Sequence, residues 1–333
     1  MTRIPATPIT DLPNNKNNKN NKNIYIIGPR SSGKTTFLGA LLSITKYSQN
    51  INHRKVNVDT KGKTSELESQ VRKSWETKKP LEPTNFPENS TKYSTNFSKD
   101  GRKSKENSQN YEFLITINPQ YKPTEIELKA KDYGGEFFQE LLRTDLSTKV
   151  KPYIKDCLKD ANGWIVLLPD FCLKDDINGF TVVENIDSFY KSVFHKLLSE
   201  FPKNDDIFSS DELTKIENNL KEIRIAFVMS KCERGELWTR RWEPERDLFQ
   251  VHLKNTRDFL RNNLSLKKNQ IAFFALSSFG VFSKNDPRPN RLNIGRNLQD
   301  GAIIDNGELW RPFGLVNPLY WIATGEEWKD PSF

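Results

Sequence analysis

Eight consecutive residues, Gly28-Pro29-Arg30-Ser31-Ser32-Gly33-Lys34-Thr35, place two glycines, a lysine and a threonine at the spacing G-x-x-x-x-G-K-T. That spacing suits a loop wrapped around a phosphate chain. The backbone N–H groups must turn inward, and glycine permits an approach and φ values that a side chain would block. Lys34 is placed to reach the β- and γ-phosphates of a nucleoside triphosphate, and Thr35 to ligate Mg²⁺. A helix beginning near Lys34 adds its free N–H groups and the positive end of its dipole. The candidate nucleotide contacts are Gly28, Arg30, Ser31, Ser32, Gly33, Lys34, Thr35 and Thr36, with Thr35 also a metal ligand.

A second cluster, Asp132-Tyr133-Gly134-Gly135-Glu136, reads D-x-x-G. A carboxylate at Asp132, at the end of a strand beside the phosphate loop, can hold Mg²⁺, commonly through water. Gly135 offers the γ-phosphate an N–H with no side chain in the way. Loss of that phosphate frees the loop, so the same residues can serve as a conformational switch.

These residues need a scaffold, and the apolar pattern supplies one. Short apolar runs at 24–27, 111–117, 125–131, 163–168, 223–229 and 271–276 read as strands, with amphipathic stretches between them. The linker Asn118–Thr124 is short enough for a hairpin, whereas a parallel crossover takes about a dozen residues or more. The expected fold is α/β, a doubly wound and mostly parallel sheet with one antiparallel hairpin. Ile186, Phe189, Tyr190, Val193, Phe194, Leu197 and Leu198 form one apolar helical stripe, and Phe137, Phe138, Leu141 and Leu142 begin another. Residues 1–23 read as a disordered Asn/Lys-rich leader. Residues 24–325 read as one domain carrying a large insertion at about 50–110, whose part from Pro80 to Asn110 has the composition of a mobile surface segment. An aromatic brace is expected at about 308–325, followed by a tail at 326–333. In it Asn317 caps a short helix, Pro318 takes its first position and Gly325 ends it.

Two further loops follow predicted strands: Ser230-Lys231-Cys232-Glu233 after the fifth, and Ala275-Leu276-Ser277-Ser278 at the end of the sixth. With the two phosphate motifs, in this order over about Asn23–Gly280, they resemble the motifs of TRAFAC-class P-loop GTPases. The phosphate-loop opening through Thr36, the D-Y-G-G-E segment and the W-R-P-F-G…L-Y-W tail look most like the bacterial double-GTPase proteins. The resemblance implies that Lys231 packs on the base and that Glu233 accepts from the guanine N–H groups. It also implies that the loop of Ser277 and Ser278 closes over the base, with GTP and Mg²⁺ as the bound species. Lys34, Gly135 and Glu136 are then the catalytic candidates, and Asp132 joins Thr35 at the metal. The implied function is a GTP-binding, slowly hydrolysing molecular switch acting with a partner GTPase or effector, in bacterial defence or signalling. The alternatives are a binding-only GTPase-like scaffold and a P-loop ATPase or phosphotransferase. Three departures stand out. Ser230 and Glu233 replace the usual Asn/Thr and Asp, Glu136 stands where many relatives carry Gln or His, and the switch I threonine is open among Thr60, Thr64, Thr84, Thr91 and Thr95.

Composition narrows the remaining classes. In 333 residues with 35% hydrophobic content there is room for one large domain, and no apolar run approaches the roughly 18–20 residues of a membrane span. Three cysteines without C-x-x-C spacing and three scattered histidines suggest neither a disulfide framework nor a metal cluster, and point to a reducing cytoplasm. The net charge of +8 is concentrated in polar segments such as 1–23 and 99–105, which argues against a nucleic-acid footprint. Arg288, Arg291 and Arg296 read as solvated loop charges, and Trp238, Arg240, Arg241, Trp242 and Arg246 as a helix entry packed on its own domain.

Overall fold

The computed structural model describes residues 20–47, 56–61, 64–78, 108–117, 124–133, 135–143, 146, 150–171, 173–176, 179–262, 266–293 and 302–328. In chain order the elements begin with β1 (Asn20–Ile27), α1 (Lys34–Tyr47), β2 (Val56–Lys61), α2 (Thr64–Thr77), β3 (Ser108–Ile117), β4 (Thr124–Tyr133), α3 (Glu136–Glu140) and α4 (Val150–Lys155). There follow β5 (Gly163–Leu168), the hairpin β6 (Leu173–Asp176) and β7 (Gly179–Val182), α5 (Ile186–His195), α6 (Ser210–Leu220) and β8 (Arg224–Met229). The last are α7 (Gly235–Thr239), α8 (Gln250–His252), α9 (Lys254–Asn262), β9 (Ile271–Ala275), β10 (Arg291–Asn293), β11 (Ala302–Ile304) and α10 (Asn317–Thr324).

Seven strands form one sheet in the order β2-β3-β4-β1-β5-β8-β9. The five from β4 to β9 run parallel, while β3 is antiparallel to β4 and β2 antiparallel to β3. The α/β expectation and the hairpin are thereby met, and all six predicted strands are present. Strand β2 was not anticipated. Only Val56 and Val58 are apolar in it, too little for a strand signal, and its place at the sheet edge comes from main-chain pairing with β3. It lies, with α2, inside the stretch read as an insertion.

Residues 24–27, 163–168 and 225–229 of the central strands form unbroken apolar runs because helices cover both faces. Ile24, Ile26, Ile165, Leu167, Ala226 and Val228 face a core shared with α1, α2 and α10. Tyr25, Ile27, Trp164, Val166, Leu168, Ile225 and Phe227 face the other core, shared with α3 to α6 and α9. This alternation is the doubly wound arrangement in side-chain terms. The stripe begun at Ile186 is continuous but passes from α5 into a π-helical turn at Lys196–Glu200. The stripe begun at Phe137 is carried by a helix of only five residues, after which the chain turns.

Two boundaries differ from expectation. Strand β1 starts at Asn20, within the stretch assigned to the leader, since Asn20–Asn23 pair by main chain with Ile126–Lys129 of β4 and need no apolar side chain to do so. Asn23 is further tied to Asn162, its N–H donating to Oδ1 at 3.0 Å. Asn317 is the first residue of α10 rather than its cap, its Nδ2 donating to the Trp328 carbonyl at 2.7 Å. Pro318 in the first turn and left-handed Gly325 at the end are as expected. Among the described residues no helix is long and apolar enough to cross a membrane.

Candidate functional site

Strand β1 lies centrally between β4 and β5, and its carboxyl end turns directly into the loop Gly28–Gly33 that leads to α1. The crevice beyond the carboxyl ends of parallel strands is where open α/β sheets bind ligands. The loop is shaped by close approach. A Cβ on Gly28 would lie 2.5 Å from the Leu167 carbonyl oxygen and 2.8 Å from Ser32 Oγ. Ser31 and Gly33 have φ of 60° and 93°, so the chain bends twice through left-handed backbone. For serine that conformation costs about 1 kcal/mol or more, a strain that clusters at functional sites. Gly33 O accepts from Phe37 N at 2.7 Å, which starts the 14-residue α1 at the loop. Lys34 is buried and folds back over it, Nζ donating to Gly28 O at 3.0 Å and Pro29 O at 3.1 Å. Ser32 Oγ is buried without a hydrogen-bond partner. A lysine ammonium, an orphaned hydroxyl and a helix N-terminus form a donor set that fits a phosphate chain.

The D-x-x-G segment comes to the same place. In the β1–β4 register Asp132 stands opposite Ile26, two residues before Gly28. Gly135, at the entry to α3, is pressed against the loop, where a Cβ would run into the backbone of Pro29 and Arg30. The position therefore admits glycine alone. Asp132 and Glu136 are located here by their main chain, at the end of β4 and the first residue of α3; their side chains lie outside the described residues.

From the other side β8 delivers Ser230, whose Oγ donates to Ser32 O at 2.8 Å and so ties the third motif to the first. Glu233 is 1% exposed, accepting from Ser277 Oγ at 2.7 Å through Oε2 and meeting Arg291 Nη1 at 3.5 Å through Oε1. Lys231, at φ 61°, holds Nζ over the Phe171 ring at 4.6 Å, and Arg234 stacks on the same ring while pairing with Asp170. Burial lowers the Lys231 ammonium to about 8, with the Glu233 carboxylate opposing the shift and Arg291 and Arg234 adding to it. Ser277 Oγ also accepts from Gly280 N at 2.8 Å, and Trp310 Nε1 donates to Ser278 O at 2.8 Å. Ser278 and Thr36 line one cavity of about 110 Å³, walled further by Gly39, Ile304, Asp305 and Trp310.

Fold and sequence thus converge on the loops carrying Gly28–Thr36, Gly135, Lys231, Glu233, Ser277 and Ser278, with Arg30 represented by its backbone contact to Gly135. Among the switch I candidates, Thr64 is buried and bonded to both main-chain groups of Glu112, pinning α2 to β3, and Thr60 donates to Glu68. Thr84, Thr91 and Thr95 lie outside the described residues. Arg291 is a correction. Read as a solvated loop charge, it is 20% exposed in its side chain and paired with Glu233, because β10 carries it back to the loop after β8. No local signal in Pro289-Asn290-Arg291 announces that pairing, which spans 58 positions. Arg241 stacks on Trp238 and Trp242 at 3.7 and 4.1 Å; Trp238 and Arg241 are buried and meet Phe313, whereas Trp242 and Arg246 are exposed. No family model matches the chain, and no curated protein matches it.

Proposed function

We propose that this chain binds a guanine nucleoside triphosphate with Mg²⁺ and hydrolyses it slowly, as a switch completed by a protein partner. The observation that carries the reading is the meeting of four separate loops at one edge of the sheet. Gly135 packs on the Pro29–Arg30 backbone, Ser230 bonds Ser32, and Glu233 bonds Ser277. A structural turn at any one of these would not need the other three.

Each residue then has a task. Lys34 and the α1 N-terminus would offset phosphate charge, while Thr35 and Asp132 would hold Mg²⁺, which would supply further neutralisation of that charge. Gly135 presents its N–H where phosphate loss would release α3 and the loop before it. Glu233 offers a carboxylate to the paired donors of guanine, whereas adenine would set an acceptor and a single donor against it. Titration calorimetry with GTP, GDP and ATP, followed by single-turnover hydrolysis, tests the reading. Tighter binding of guanine nucleotides and slow turnover are expected; equal affinity for ATP overturns the guanine assignment, and no nucleotide binding overturns the whole reading.

A further inference from the structure

The pairing of Arg291 with Glu233 is unexplained by a phosphate site, and its surroundings are built. Asn290 is fully buried, its N–H donating to Gly280 O at 3.0 Å, its Nδ2 donating to Asn306 O at 2.8 Å and its Oδ1 accepting from Asn306 N at 2.8 Å. These bonds fix the start of β10 beside the Ser277–Gly280 turn. Arg291 then pairs across the ribbon with Ile304, and Ile304 and Asp305 wall the same cavity as Ser278 and Thr36. One ribbon therefore brings a guanidinium to Glu233 and closes the cavity running from the first turn of α1 to the base-side loop.

We propose that Arg291 is a second base-reading residue, forming with Glu233 a guanidinium–carboxylate pair matched to guanine. The proposal rests on the guanine reading above. Guanine presents N2–H and N1–H donors with the O6 acceptor next to them. A carboxylate takes the two donors, and an arginine beside it donates to O6, or to O6 and N7 together. Glu233 is oriented for this by Ser277, which holds Oε2, while the Arg291 contact at 3.5 Å on Oε1 is long enough to yield to a base. Adenine fails twice at such a pair, since it lacks the N1–H and sets an amine where the guanidinium expects an acceptor. Xanthine fails at the carboxylate, facing it with a second carbonyl. The geometry also accounts for glutamate at position 233, because the buried carboxylate has a cation beside it.

The test is calorimetric binding of GDP, IDP and 6-thio-GDP to the full chain, with unfolding midpoints measured in parallel. IDP keeps O6 and N1–H but lacks the N2 amine; 6-thio-GDP keeps both donors and replaces O6 by a weak acceptor. Arg291→Met is expected to weaken GDP and IDP by the same factor, about 10- to 100-fold, and 6-thio-GDP much less. Glu233→Gln is expected to erase the preference for GDP over IDP. Arg291→Lys, which keeps the charge and loses the planar fork, should fall between wild type and Arg291→Met. Unchanged or tighter GDP binding by Arg291→Met would make the guanidinium a plug on Glu233 and overturn the proposal. So would an equal loss for GDP and 6-thio-GDP. A wild-type chain that binds none of the three, or ATP equally well, refutes the guanine reading itself, an outcome separate from the failure of Arg291.

Discussion

Lys34 Nζ donates to the carbonyls of Gly28 and Pro29, which places its charge over the loop that a phosphate chain would enter. Lys34→Ala is expected to abolish high-affinity triphosphate binding while the protein stays folded, because uncompensated phosphate charge remains. Unchanged calorimetric affinity in the folded variant would contradict the site. Gly135→Ala is a sharper probe, since the obstacle it meets is the Pro29–Arg30 backbone, which cannot rotate away as a side chain can. A displacement of about 1 Å at a reacting centre costs about 100-fold in rate, and a loss of that order in single-turnover hydrolysis is expected. Lys231 gives a pH signature. Its folded value of about 8 lies below the ordinary 10.5, so between those values the unfolded chain holds the proton that the native protein has shed. The contribution of this group to stability must therefore rise with pH across that window. Denaturant unfolding without nucleotide should show wild type gaining on Lys231→Met between pH 8 and 10.5; a constant difference would mean that the ammonium is not desolvated.

Elements are held together by caps and ties as much as by the two cores. Asp187 of α5 accepts from Asn255 N and Thr256 N, both at 2.8 Å, and from Thr256 Oγ1 at 2.7 Å, so one helix caps the N-terminus of another. Asp187→Ala removes a carboxylate from the positive end of α9 and should cost about 1–2 kcal/mol in denaturant unfolding. A change within experimental error would show that α9 is held by its buried Phe259 and Leu260 alone. Elements with a continuous apolar run, such as β5 and β8 from Ile225 onward, were legible because burial on both faces leaves no polar position there. Strand β2 and the first residues of β1 were not, since their partners are main-chain groups of β3 and β4, and those carry no side-chain signal.

At the scale of the molecule, the loops meet, and the proposed switch is completed by a cation from a partner. An arginine finger donated by a partner raises hydrolysis of this kind by about 10³–10⁵. The isolated chain should turn over GTP well below about one per second, with acceleration on adding a partner or on self-association that donates a cation. Fast, concentration-independent turnover would show the catalytic groups to be complete. The sequence by itself determined what is local: the glycines and lysine of the loop between β1 and α1, the D-x-x-G turn, the six apolar strands and the brace helix. Each depends on neighbours within one turn or one strand. Only the tertiary structure decided that Gly135 rests on Arg30, that Ser230 ties to Ser32, and that Arg291 sits on Glu233. Those contacts join residues about a hundred, 198 and 58 positions apart, brought together by sheet order and by one short ribbon. Their physical basis is burial. A carboxylate with 1% exposure must find a cation or a donor, and which one it finds is settled by the packing of the chain.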